Sequence, residues 1–317
     1  MEKHLRDKRL CLIAVVLLCS NSLFSQTSEF KVQRGIPYSQ AIFPGQDKMQ
    51  NLCFDLYEPV DQSDTLRPLV ITLFGGGFVV GSRDYSDMVA FGEHFAQNGV
   101  VAASIDYRLM PAKKISYKEL LRAGYMAAQD ASAAVRFFKA HWEEYRIDTN
   151  RIFLLGQSAG AVAILHALYM DEEERPAETF EEPALPPLHS TGTKESKTQT
   201  FSVAGVISLW GCIFDPEMID PDETTPVCFF HGGKDKILPA DSGFAFSVPV
   251  LPYVYGSQVI AQQLRKNGTS SFEYHYLEDE SHAFYFKYFG LYQMDTLKFD
   301  RCFETVLKFI RRNGGKQ

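Results

Sequence analysis

Residues 151–168 restrict the fold more than any other stretch. An apolar run, Arg151-Ile152-Phe153-Leu154-Leu155, passes directly into Gly156-Gln157-Ser158-Ala159-Gly160 and then into the helix-forming stretch Ala161–Leu168. A buried strand that becomes a helix within five residues has no room for bulky side chains at the turn, so glycines bracket the serine. Such a turn also leaves the serine hydroxyl at the carboxyl edge of a sheet, in front of the N–H groups of a helix start. An inert glycine turn can carry the same five letters. The flanking strand and helix, and the order of residues downstream, decide between the two readings.

The rest of the chain has the rhythm this turn requires. Strand-like runs fall at Asn51–Tyr57, Leu69–Phe74, Val100–Ile105, Val203–Leu209, Val227–Phe230 and Phe272–Tyr276. Helical spacing falls at Tyr85–Gln97, Leu120–Tyr145, Ser257–Lys266 and Thr296–Arg311. Apolar strands alternating with helices predict an α/β fold: a mostly parallel central sheet with helices on both faces and a site beyond the strands' carboxyl ends. Two insertions interrupt the pattern. Asp171–Thr200 is acidic, then rich in Ser, Thr and Lys, and reads as a solvated surface loop rather than a lid. Pro239–Gly256 is aromatic and proline-bearing, and reads equally as a substrate wall or as plain packing over the sheet edge.

The amino terminus reads as an export signal. Lys3, Arg6, Lys8 and Arg9 precede the apolar run Leu10–Leu18, which is too short to span a bilayer, and small residues follow at Ser20, Ser22 and Ser25. Residues 1–25 are therefore assigned to a signal peptide and residues 26–317 to one catalytic domain, periplasmic or secreted, without a stable membrane span. Lipidation at Cys19 is disfavoured by the bulky Leu18 before it. The mature chain keeps Cys53, Cys212, Cys228 and Cys302, scattered and without metal-ligand spacing. A net charge of −7 argues against nucleic acid as a partner. The oligomeric state has no signature in the sequence.

A serine nucleophile needs a base, and the base needs an orienting acid. Downstream of Ser158, the Val227–Phe230 run ends in His231-Gly232-Gly233-Lys234-Asp235, which places an aspartate in a glycine-rich turn. His282 follows the last strand-like run by a short loop. The order Ser158, Asp235, His282 suits a strand-based serine hydrolase. His231 is a second candidate base, though it shares a turn with Asp235. Glu278 and Asp279 are rival acids, poorly placed so close to His282. An oxyanion hole needs N–H groups aimed at one point; Ala159 supplies one, and Gly75-Gly76-Gly77-Phe78 after the Leu69–Phe74 strand offers others.

These motifs together resemble the carboxylesterase and hormone-sensitive-lipase-like branch of the α/β-hydrolases, from about Asn51 to the terminal helix. The resemblance rests on Phe74–Phe78, Asp106-Tyr107-Arg108-Leu109, Gln129-Asp130, Gly156–Gly160, His231–Asp235 and Ser281-His282. It implies a triad of Ser158, Asp235 and His282, oxyanion donors at Gly76, Gly77 and Ala159, and structural roles for Asp106–Leu109 and Asp130. It also implies an acyl-enzyme route that needs no metal or organic cofactor. Two departures stand out: Phe74 replaces the family's usual histidine, and the Asp235–His282 span is long. The short mature amino terminus lacks a helical cap, so an open site for short acyl or carbohydrate-linked esters is expected. A serine peptidase of the same fold, or a non-catalytic binding protein on its scaffold, are the alternatives.

Overall fold

In a computed structural model, the structure describes residues 29–44, 47–60, 65–287 and 293–315; the expected signal segment lies outside them. In chain order the elements are β1 (Phe30–Ile42), β2 (Met49–Pro59), β3 (Arg67–Leu73), α1 (Ser86–Gln97), β4 (Val101–Ile105), α2 (Tyr117–Ala140), α3 (Trp142–Tyr145), β5 (Ile147–Gln157) and α4 (Ala159–Tyr169). They continue with β6 (Gly205–Leu209), β7 (Cys212–Ile213), β8 (Val227–Gly232), β9 (Ser242–Phe244), β10 (Tyr253–Gly256), α5 (Ser257–Lys266), β11 (Phe272–Leu277) and α6 (Thr296–Asn313).

Eight strands form one sheet in the order β1-β2-β4-β3-β5-β6-β8-β11. Only β2 runs against the rest, pairing antiparallel with both β1 and β4. Every residue of β4, β6 and β8 is buried, which is why these strands read as unbroken apolar runs. The edge strand β11 is mostly half-buried. From β3 the chain crosses by α1 to β4 on one side, then returns by α2 to β5 on the other. Right-handed crossovers in opposite directions put α1 and α2 on opposite faces. One layer joins α1 to α6 through aromatic contacts such as Phe91–Phe299 at 4.7 Å and Phe95–Phe303 at 5.0 Å. The other packs α4 against α2. The reversal at β3 opens the crevice between its carboxyl end and that of β5.

Three segments depart from the sequence expectation or add to it. The helix expected over Leu120–Tyr145 breaks at His141, whose ring stacks on Phe137 at 4.2 Å and whose Nδ1 lies 2.9 Å from the Phe137 carbonyl. That contact terminates α2, although the apolar spacing continues into α3.

The Asp171–Thr200 insertion is the largely exposed surface loop expected, but an ordered one: it forms a strap lying along α2. Arg122 donates to the carbonyls of Glu178, Glu181 and Pro183, Gln129 to those of Pro186 and Pro187, and Arg136 to that of Thr191. Thr179, Leu188 and Ser196 are buried within it.

The Pro239–Gly256 insertion supplies β9 and β10, which join β7 in a second, antiparallel sheet ordered β7-β10-β9.

Candidate active site

The turn between β5 and α4 holds Ser158 at φ +50°, ψ −117°. A non-glycine residue at positive φ is strained, and here the surroundings impose it. The Ser158 N–H donates to the Leu209 carbonyl of β6 at 2.9 Å. A Cβ on Gly156 would fall 2.4 Å from the Gly160 carbonyl oxygen, and one on Gly160 2.4 Å from that of Leu73. No side chain fits at either position, so strand, turn and helix close only with glycine.

His282 sits in the loop after β11. Its Nε2 lies 2.9 Å from Ser158 Oγ and its Nδ1 2.7 Å from Asp235 Oδ2. Because a carboxylate only accepts, Nδ1 carries the proton and Nε2 is free to accept from the serine. Asp235 Oδ1 takes two backbone N–H groups, Ile237 at 2.8 Å and Leu238 at 3.0 Å. Burial alone would raise the Asp235 pKa, but hydrogen bonds from His231 and His282 outweigh it and hold the carboxyl well below the usual range.

The rival residues lie elsewhere. His231 is buried and touches the acid rather than the serine: its Nε2 donates to the Leu238 carbonyl at 2.8 Å and stands 3.4 Å from Asp235 Oδ2, and its Nδ1 lies 2.8 Å from Ser257 Oγ, so it braces the turn that carries Asp235. His166 is buried within α4; burial brings its pKa down to about 4, and it bridges Val162 and Phe214. Asp279 pairs with Lys234 on the surface.

The glycine loop follows β3 beside the elbow. Gly76 (φ +131°) and Gly77 (φ +61°) are in conformations that favour glycine, and a Cβ on Gly76 would fall 1.8 Å from the Val80 carbonyl oxygen. No acceptor among the described residues takes the N–H of Gly76, Gly77 or Ala159. Phe74 braces this loop by packing: its ring stacks on Tyr107 at 4.4 Å, and the Tyr107 hydroxyl donates to the Phe74 carbonyl at 2.8 Å. Behind the loop, Arg108 and Asp130 form a buried ion pair at 2.8 Å, with Arg108 also bonded to Gln129.

A profile of the BD-FAE family matches residues 54–215, just over half of the chain. The chain belongs to the BD-FAE family. The match runs through the glycine loop and the serine elbow. The BD-FAE chain is also 33% identical over 227 residues to isoprenylcysteine alpha-carbonyl methylesterase ICME of Arabidopsis thaliana, covering 61% of this chain and 48% of that one. It is 35% identical over 101 residues to esterase LipI of Mycobacterium tuberculosis, covering 32% and 28%. The chain thus spans about half the length of ICME and less of the first rice and Arabidopsis relatives, ICMEL1. Among solved structures it is similar to Thermogutta terrifontis esterase 2 phosphorylated by paraoxon, with a TM-score of 0.59, 20% identity, and coverage of 92% of this chain and 95% of that one. That likeness, with the sheet described above, establishes the α/β-hydrolase fold.

Two spaces meet at Ser158 in this BD-FAE protein. One is a cavity of about 40 Å³ beside Ala159, walled by Phe78, Val162, Phe214 and, from the second sheet, Val254. The other, about as open to solvent, is a larger groove of about 350 Å³ lined by His282, Trp210 and Phe286. Phe246 lines both, so the aromatic insertion forms part of the site wall. No local pattern marks Trp210, buried at φ +45° with its ring 6.0 Å from that of His282. Asp87, which lines the groove from α1, was equally hidden; an acid in the first turn of a helix reads as a dipole partner.

Proposed function

We propose that this protein hydrolyses carboxylic esters of short acyl chains through an acyl-enzyme on Ser158. The observation that carries the reading is the continuous chain from Asp235 through His282 to Ser158 on a strained elbow, at 2.7 and 2.9 Å. Ser158 Oγ attacks the ester carbonyl as His282 Nε2 takes its proton. The N–H groups of Gly76, Gly77 and Ala159 hold the oxyanion. His282 returns the proton to the leaving alcohol, and a water repeats the sequence to free the acid. Esterase relatives support the reaction class.

The two spaces divide the substrate. The leaving oxygen must lie near His282 Nε2 to be protonated, and His282 lines the groove but not the cavity. The groove therefore takes the alcohol part, and the cavity the acyl part. One water needs about 10–15 Å³ of such space, so a cavity of about 40 Å³ admits about three heavy atoms. With the ester carbonyl at Ser158 and its oxygen in the oxyanion hole, up to three further carbons enter the cavity, so acetyl to butyryl groups fit. The basic and apolar amino terminus supports export. The test is hydrolysis of 4-nitrophenyl esters from acetyl to octanoyl by wild type and Ser158→Ala. Wild-type kcat/KM should fall beyond butyryl, and Ser158→Ala should be inactive. Equal rates in the two proteins would overturn the assignment.

A further inference from the structure

Gly77, Leu120, Ser158, Ile237 and Phe246 border both spaces at the site. Ser158 is the nucleophile and Gly77 has no side chain, so Leu120, Ile237 and Phe246 build the boundary between cavity and groove. Leu120, on α2, is buried, and Ile237 is half-buried. The Phe246 ring is larger than either and 39% exposed, so it stands at the mouth rather than in the core. It also lies against the oxyanion loop: a Cβ on Gly77 would fall 3.3 Å from the ring's Cζ.

The backbone under that ring is strained. Phe246 and Ser247 both take φ +57°, a region that disfavours side-chain-bearing residues. Such strain persists where the surroundings over-determine it, and here they do. The Phe246 N–H donates to the Ile237 carbonyl at 2.7 Å, and Ser247 Oγ donates to the Lys236 carbonyl at 2.8 Å. The Ala245 N–H donates to the Pro252 carbonyl at 2.9 Å, which closes the insertion on itself. Ile237 in turn donates its own N–H to Asp235 Oδ1. One turn therefore fixes both the acid that orients His282 and the ring that borders the cavity.

We propose that Phe246 sets the acyl-length limit: its ring is the partition that closes the cavity on the groove side and stops acyl chains beyond butyryl. This deepens the ester-hydrolase reading and rests on it. Other walls of the cavity, such as Val162, Cys212 and Val254, are buried in the fold and have no room to recede. The Phe246 ring has the groove on its other side. Removing the ring joins a cavity of about 40 Å³ to a groove of about 350 Å³, and an acyl chain can then run from one into the other. In the plain alternative, the ring only packs the insertion and the buried walls set the limit.

The 4-nitrophenyl esters from acetyl to octanoyl separate these readings. Their alcohol is fixed, so changes on the alcohol side cancel in the ratio between two acyl chains. Wild type should show an octanoyl-to-butyryl ratio of kcat/KM well below one. In Phe246→Ala that ratio should rise at least about tenfold, the worth of about one methylene in an apolar pocket. Phe246→Gly should do the same, and glycine suits the positive φ, so this variant keeps the test open if the alanine variant folds poorly. Phe244→Ala removes a neighbouring ring that packs on Tyr253 at 5.2 Å and lines neither space, and it should leave the ratio unchanged. A ratio unmoved in whichever Phe246 variant folds overturns the proposal, including a fall in rate that is uniform across the chain lengths. So does an equal rise in Phe244→Ala, which would trace the change to a loosened insertion, or a wild type with no limit at butyryl. Failure of wild type to hydrolyse any of these esters in a Ser158-dependent way would instead overturn the ester reading beneath it.

Discussion

Replacing Asp235 with asparagine tests the orientation of His282 with almost no change in shape. The carboxylate now receives Ile237 N and Leu238 N on Oδ1 and the His282 Nδ1–H on Oδ2 at 2.7 Å. An amide can keep only one of these faces. Turning its NH2 toward Ile237 and Leu238 would leave two buried N–H groups unpaired, at about 1–3 kcal/mol each. The amide oxygen therefore stays on the backbone, and the NH2 faces His282 Nδ1. His282 must then accept at Nδ1 and carry its proton on Nε2, pointing at Ser158 Oγ 2.9 Å away. A protonated Nε2 cannot take the serine proton. The expected loss is about 10⁴ in kcat, equivalent to about 5.4 kcal/mol on the barrier, with KM little changed. Steady-state kinetics on 4-nitrophenyl acetate, with a thermal melt to confirm folding, measures it. A folded variant that retains more than about a tenth of wild-type kcat would refute Asp235 as the orienting acid.

Gly76→Ala should be inactive or nearly so, because its new Cβ cannot coexist with the Val80 carbonyl and the loop must move away from Ser158. A fall in kcat of about 10²–10³ is expected from one misplaced oxyanion donor; wild-type kcat in a folded Gly76→Ala would remove Gly76 from that role. Asp235 also fixes a pH dependence of stability. Its folded pKa lies below its unfolded value, so its stabilising contribution is complete above the ordinary carboxylate range and drains away as the pH falls through and below it. The gap between the urea midpoints of wild type and Asp235→Asn should therefore be constant from pH 7 to about pH 5 and begin to narrow below about pH 4, and a gap that shows no narrowing down to the acid limit of folding would show that Asp235 is not a coupled carboxylate.

Much of the architecture was legible because it is written in apolar runs. Val70–Leu73, Val101–Ile105 and Ile152–Leu155 are buried on both faces, and no polar residue interrupts them except Thr72 and Ser104. The elbow was legible because two glycines are sterically required there. The order Ser158, Asp235, His282 was readable as well, since each residue ends or follows a strand. What was not legible depends on distant chain. Asp87 and Trp210 line the groove only because α1 and β6 happen to border it, and no local pattern records that. The brace of the glycine loop was hidden for the same reason: Phe74 gains its role from stacking on Tyr107, 33 residues away in sequence. That the exposed strap would be ordered was not legible because its composition is that of a loop, while groups that order it, Arg122, Gln129 and Arg136, lie on another element.

The arginine and glutamine side chains of α2 hold the strap by its carbonyls, while a few side chains of its own, Arg175 and Thr179 among them, tie it internally. Every residue type has a carbonyl, so the exposed side chains of the strap are free to change while its path stays fixed; the buried Arg175, Thr179, Leu188 and Ser196 are not. The burden of specification falls on α2, where an arginine or glutamine must recur at the right face of the helix. Random mutagenesis of the two segments should accordingly return opposite tolerance maps: substitutions scattered across the strap, and sharp intolerance at a few donors beneath it. Order in this region is inherited through the helix, and a comparison that aligned the strap alone would find little to follow.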